Sequence, residues 1–80
     1  MTENQRATLE HALGLDYPWK IRDGVTWRNH YCASDRDEDC EALVAAGLME
    51  RGHTINGGRD RYYFATRAGM DLVGIREVSK

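Results

Sequence analysis

Proline and long apolar runs are what this chain has least of. A single proline, Pro18, stands among 80 residues, and no hydrophobic stretch approaches the ~18 residues that a membrane-spanning helix requires. Phenylalanine occurs once, at Phe64, and large aliphatic side chains are sparse, so a core of this size is expected to draw on the two tryptophans, Trp27 turning inward with Tyr31 while Trp19, after Pro18, is the one expected to stay partly exposed. The opening Met-Thr-Glu-Asn-Gln-Arg lacks the basic-then-apolar layout of a signal peptide, which makes a cytoplasmic location and free thiols at Cys32 and Cys40 the expectation. Positive charge is also short: 11 Lys and Arg against 13 Asp and Glu leave a net charge of −2. The chain as a whole therefore has no attraction for phosphate, and any nucleic-acid binding must come from a local basic patch. There is no internal repeat, no low-complexity segment and no glycine-rich phosphate loop, since Gly57-Gly58 precedes a strand and not a helix.

What is there fits one small α+β domain over residues 1–80, with 41% hydrophobic and 30% charged residues. Thr2 and Gln5 have capping-box spacing, and Leu9, Ala12 and Leu13 share one face, which predicts a short helix ending at Gly14. Residues 16–31 leave alternatives open. Trp19-Lys-Ile-Arg and Val25-Thr-Trp-Arg flank Asp23-Gly24, a pair suited to a tight turn, so a small hairpin with a short strand around residues 19–27 is one reading. A loop followed by a helical turn at residues 28–32 is the other, because Pro18 discourages helix before it.

The clearest helix comes next. Ser34 and Asp37 have capping-box spacing, and Asp35, Asp37, Glu38 and Asp39 load the amino-terminal turns, where the helix dipole favours negative charge. Cys40, Leu43 and Val44 form its apolar stripe, and Gly47 is the expected left-handed cap, with Leu48 folding back. A hairpin follows, with His53-Thr-Ile and residues 61–65 as its strands and Asn56-Gly57 as its turn signal. Tyr62 and Phe64 should face one side, Tyr63 and Ala65 the other. Thr66 then caps a last helix carrying Met70, Val73 and Ile75, before a frayed tail from Glu77.

Leu43-Val-Ala-Ala-Gly-Leu-Met-Glu-Arg, followed by a hairpin and Phe64-Ala-Thr-Arg-Ala-Gly, resembles the closing half of winged-helix transcription regulators. In that family a helix ends in Gly-Leu and a wing ends in Leu-Thr-x-x-Gly. With Ala-Leu-Gly-Leu near the start and Arg28-Asn-His-Tyr in the middle, the chain also looks like short phage and prophage proteins of unassigned activity. The resemblance implies a winged-helix-like fold of about three helices with a C-terminal hairpin as the wing. It favours the loop reading for residues 16–31. Between residues 15 and 35 there is no sign of the usual first helix of a helix-turn-helix.

In a DNA-reading winged helix the amino-terminal turns of the recognition helix carry cationic and amide side chains into the major groove. Here those turns read Asp35-Arg-Asp-Glu-Asp-Cys-Glu, which phosphates would repel. The wing is the better nucleic-acid candidate: Arg59 and Arg61 lie at or near its tip, Arg51 and Arg67 at its bases. For Arg59 and Arg61 the more ordinary reading is that of solubilising charges on an exposed turn, neutralised by Asp60 between them and Glu50 nearby. A second candidate surface is the aromatic-basic segment with Trp19, Lys20, Arg22, Arg28 and His30, of residue types enriched at protein interfaces. His30, Cys32, Cys40 and His53 are ligand types for zinc, but only His30 and Cys32 are closely spaced, so no metal and no cofactor is expected. Cys32 beside His30 is weak support for a nucleophile and base, and the chain is not expected to be an enzyme. The reading that follows is a protein-binding module, an adaptor or inhibitor of a host or phage component; the alternative is a DNA-binding regulator using the wing arginines.

Overall fold

The computed structural model describes residues 1–21, 24–26 and 28–75. Helix α1 spans Glu3–Ala12 and begins with the expected capping box: the Thr2 hydroxyl accepts from the Gln5 N–H at 3.1 Å, and the Gln5 side chain accepts from the Thr2 N–H at 3.1 Å. These bonds satisfy two amide donors that a helix start otherwise leaves bare. Leu9, Ala12 and Leu13 on its inner face are fully buried.

Among the described residues, all three α-helices stop by the same device. After α1, the Leu15 N–H returns to the Glu10 carbonyl at 2.9 Å and the Gly14 N–H to the His11 carbonyl at 3.1 Å. After α2, Glu38–Ala45, Leu48 bonds to Leu43 at 2.9 Å; after α3, Arg67–Leu72, Ile75 bonds to Met70 at 2.9 Å. Each stop needs a left-handed residue, supplied by Gly14, Gly47 and Gly74, and each sends the next aliphatic side chain back against the core.

The strands are β1, Tyr31–Ser34, β2, Met49–Ile55, and β3, Asp60–Ala65, in the spatial order β1-β3-β2 and antiparallel throughout. Tyr31 pairs with Tyr63 across one ladder, and Met49 with Ala65 across the other. A bulge interrupts the second ladder between Arg51 and Thr54. It contains Gly52, where a Cβ would stand 2.4 Å from Cε2 of Phe64, so glycine lets that ring lie against the strand. Beyond β1 the Asn29 side chain replaces backbone: its carboxamide donates to the Ala65 carbonyl at 3.1 Å and accepts from the Ala65 N–H at 2.8 Å.

Tyr63 and Ala65 share one face of β3, as the alternation predicted, and that face meets the core, where they join Leu9, Leu13, Cys40, Leu43, Met49 and Met70. Helix α3 is tied to the end of α2 at close range. The Thr66 hydroxyl donates to the Gly47 carbonyl at 2.6 Å and accepts from the Gly69 N–H at 3.2 Å, while the Thr66 N–H donates to the Leu48 carbonyl at 3.0 Å. A Cβ on Gly69 would lie 2.2 Å from the Leu48 oxygen and 3.3 Å from a Leu9 methyl. Among the described residues no helix is long and apolar enough to cross a membrane.

Four sequence expectations need correction. The helical turn expected at residues 28–32 is absent: Tyr31 already belongs to a strand, whose four residues were too short an alternation to show as one. The strand expected around residues 19–27 begins instead with a 3-10 turn at Pro18–Lys20; Arg22, Asp23 and Trp27 lie outside the described residues, as does the tail from Glu77. Asp37, not Ser34, caps α2, accepting from the Cys40 N–H at 3.1 Å. Ser34 is committed to pairing with Asp60, and Arg36 takes a left-handed φ of 64°, so helical geometry starts only after Asp37. The last helix ends at Leu72, because Gly74 takes a left-handed φ, so Val73 and Ile75 lie beyond it. The tryptophan expected to be the more exposed of the two, Trp19, is 67% exposed.

Two substitutions test this architecture. Leu43→Ala, at a position 1% exposed, is expected to lower the unfolding free energy in urea by about 2–5 kcal/mol. Gly69→Ala should cost about 1–3 kcal/mol or more, because its methyl meets a backbone oxygen that cannot rotate away; a loss under about 0.5 kcal/mol would show that α3 does not pack there.

Candidate functional site

Two of the four hairpin arginines are spent within the molecule. Arg51 Nε lies 3.0 Å from both carboxylate oxygens of Glu41, and its Nη2 donates to the same group. Such fork geometry is the strong form of the Arg–carboxylate contact. Arg61 Nε donates to Asp35 Oδ1 at 2.7 Å, and Nη1 to the Gly52 carbonyl in the bulge at 2.7 Å. The partners are therefore residues at the start of α2, and not the Asp60 and Glu50 that sequence proximity suggested. Asp60 instead accepts from the Asn56 carboxamide at 2.7 Å. The other two arginines are exposed: Arg59, whose Nε lies 3.3 Å from the Asn56 carbonyl at the hairpin tip, and Arg67, the first residue of α3.

Tyr63 joins these elements from below. Its ring is fully buried, and its hydroxyl donates to Glu41 Oε2 at 2.8 Å while accepting from the Arg36 N–H at 3.2 Å. The Arg51 guanidinium foremost, then the Tyr63 hydroxyl, hold the Glu41 carboxyl down at about 2. Burial, reinforced by that carboxylate, pushes the Tyr63 hydroxyl up to about 12. The carboxylates that begin α2 thus anchor the hairpin. Neither Glu41 nor Asp35 was singled out in the sequence as a partner, because the pairs span 10 and 26 residues.

The aromatic-basic segment divides in two. Arg28 is a brace: its side chain, 13% exposed, donates to the His11 carbonyl at the end of α1 and pairs with Asp16, which His11 Nδ1 also approaches at 3.2 Å. Behind it, the buried Thr26 hydroxyl donates to the Leu13 carbonyl and accepts from the Arg28 N–H at 3.1 Å. Tyr17 and Trp19 stand outside as an edge-to-face pair with ring centroids 5.3 Å apart, 42% and 67% exposed, and Lys20 Nζ lies 5.6 Å from the Tyr17 ring. His30 is exposed and approaches Tyr62 at 6.2 Å; His53 meets the same ring from β2 at 5.1 Å. Arg22 falls outside the described residues.

The four zinc-type residues do not converge. Cys40 lies in the core, where burial foremost raises its thiol to about 12, a poor nucleophile and a poor ligand. Cys32 is exposed on β1 opposite Tyr62, beside a depression lined by His11, Arg28, His30, Tyr31 and Tyr62. Among the described residues no three His, Cys, Asp or Glu side chains are placed to hold a metal ion.

The Glu41 carboxyl sets a measurable acid limb. Its folded value of about 2 lies below its ordinary 4.5, so its contribution to stability is complete above pH 4.5 and is lost as pH falls toward 2. Glu41→Gln is expected to lower stability at neutral pH and to flatten the decline across that window, as read by urea unfolding at successive pH values. A variant with the same acid limb as the parent would remove the Arg51–Glu41–Tyr63 linkage. Comparison with family models, curated proteins and solved structures finds no match for the chain.

Proposed function

We propose that this chain is a winged-helix-like module that binds a protein partner through the exposed Tyr17–Trp19 knob, and that it is neither an enzyme nor a DNA reader. The reading places it among short phage and prophage proteins acting in the host cytoplasm, as an adaptor or an inhibitor of a host or phage component. Support for the scaffold comes from the strand order β1-β3-β2 around α2 and from the clasp joining the Gly-Leu end of α2 to Thr66-x-x-Gly69.

The observation that carries the reading is the exposure of Trp19. A tryptophan 67% exposed, stacked edge-on against a tyrosine and flanked by Lys20, leaves a large apolar surface in water. In a domain short of large apolar side chains that costs core burial, and aromatic anchors of this kind dominate binding energy at protein interfaces. The electrostatics weigh in the same direction. Arg51 and Arg61 are already neutralised by Glu41 and Asp35, and Glu38 and Asp39 lie in the turn that would have to face a DNA groove.

Duplex DNA titrated at low salt should give no binding with a negative log–log salt slope. Capture of the partner should be lost on Trp19→Ala and retained on Arg59→Glu. Salt-dependent duplex binding that Arg59→Glu and Arg67→Glu abolish would replace this reading with the DNA-binding regulator.

A further inference from the structure

Asn56-Gly57 is the only Asn-Gly pair in the chain, and the fold sets it at the solvent-exposed tip of the β2–β3 hairpin. Asn56, Gly57 and Gly58 take consecutive left-handed φ values of 54°, 70° and 89°. Beyond the adjoining residues and the turn's own backbone, no atom lies within 4 Å of where a Cβ of Gly57 or Gly58 would stand, so the turn has open space around it. A glycine amide nitrogen is shielded by no side chain and its backbone is the most permissive, which makes it the readiest nucleophile toward a preceding carboxamide.

We infer that Asn56 is a site of spontaneous deamidation, with water as its only co-reactant, and that Asp60 turns the product into a lesion of the hairpin tip. In the first step the Gly57 nitrogen loses its proton and attacks Cγ of Asn56; the N–Cγ bond forms, the Cγ–Nδ2 bond breaks and ammonia departs. Water then opens the cyclic imide at either carbonyl, leaving aspartate or isoaspartate. The structure supplies the consequence. Asn56 Nδ2 donates to Asp60 Oδ2 at 2.7 Å, and the product puts a second carboxylate where that donor was. Asp60 is also the rung at which both ladders close, opposite Ser34 on one side and Ile55 on the other. Repulsion there acts on the ends of two strand pairings at once, and the isoaspartyl form adds a methylene to the four-residue loop between Ile55 and Asp60.

The other asparagines are placed differently. Asn29 has both halves of its carboxamide held by Ala65 and is followed by His30; Asn4 lies within α1 and is followed by Gln5.

Trypsin cuts after Arg51 and Arg59, so the peptide of residues 52–59 isolates Asn56. After incubation of the folded protein in warm, mildly alkaline buffer, that peptide should gain about one mass unit and split into aspartyl and isoaspartyl forms, while the peptides holding Asn4 and Asn29 keep their mass. An unchanged 52–59 peptide, under conditions in which the urea-unfolded chain converts, would overturn the assignment. Asn56→Asp should lower the thermal midpoint, and Asp60→Asn in the same chain should restore it. An Asn56→Asp protein that melts with the parent, or melts low in both backgrounds, would overturn the role given to Asp60.

Discussion

The contact on which the rest of the architecture depends is the clasp between the end of α2 and the start of α3. Gly47 and Leu48 turn their carbonyls outward as the left-handed cap ends α2, and Thr66 takes both, one with its hydroxyl and one with its N–H. Gly69 then allows the Leu48 oxygen to approach to a distance that any side chain would forbid. Because β2 begins at Met49 and β3 ends at Ala65, fixing these two points fixes both ends of the hairpin at once. The register Met49↔Ala65 follows, and with it the choice of which face of β3 turns inward. The same geometry explains why Gly-Leu and Thr-x-x-Gly occur together in this chain: each motif supplies half of one set of hydrogen bonds.

Around that clasp the charges are arranged to serve the fold. The acidic start of α2 has three uses: Asp37 caps the helix, Asp35 takes Arg61, and Glu41 takes both Arg51 and the buried Tyr63 hydroxyl. A carboxylate run that favours a helix amino terminus through the dipole is thereby also the counter-charge for the hairpin. This commits two of the four arginines to partners within the fold, while Tyr17 and Trp19 stand exposed at the surface. Arg28, of a type common in binding surfaces, works instead as a brace across the end of α1 and the loop at Asp16.

Much of the fold was legible because its signals are local. Thr2 with Gln5, the cap at Thr66, and Gly14 and Gly47, each followed by a leucine, mark helix boundaries by rules that reach only a few positions along the chain, whereas the stop at Gly74 is hidden by an apolar spacing that carries the helix on to Ile75. The alternation of Tyr62, Tyr63, Phe64 and Ala65 separated the two faces of β3 correctly, without saying which of them is buried. β1 escaped notice because its four residues alternate too briefly to be told from loop, and the rung before it is made by the Asn29 side chain. Ser34 has the spacing of a cap, but its backbone was claimed by a strand partner distant in sequence.

The candidate site divides along the same line. The sequence by itself determined both ends of α1, the glycine stop of α2, the cap of α3, the turn at Asn56-Gly57 and the acidic character of the α2 start, since each follows from the backbone preferences or charge of neighbouring residues. Only the tertiary structure decided that Arg51 meets Glu41, that Arg61 meets Asp35 and that Arg28 is inward. Those outcomes depend on which segments fold back within a few ångströms of one another, and electrostatic and apolar contacts act through space without regard to separation along the chain.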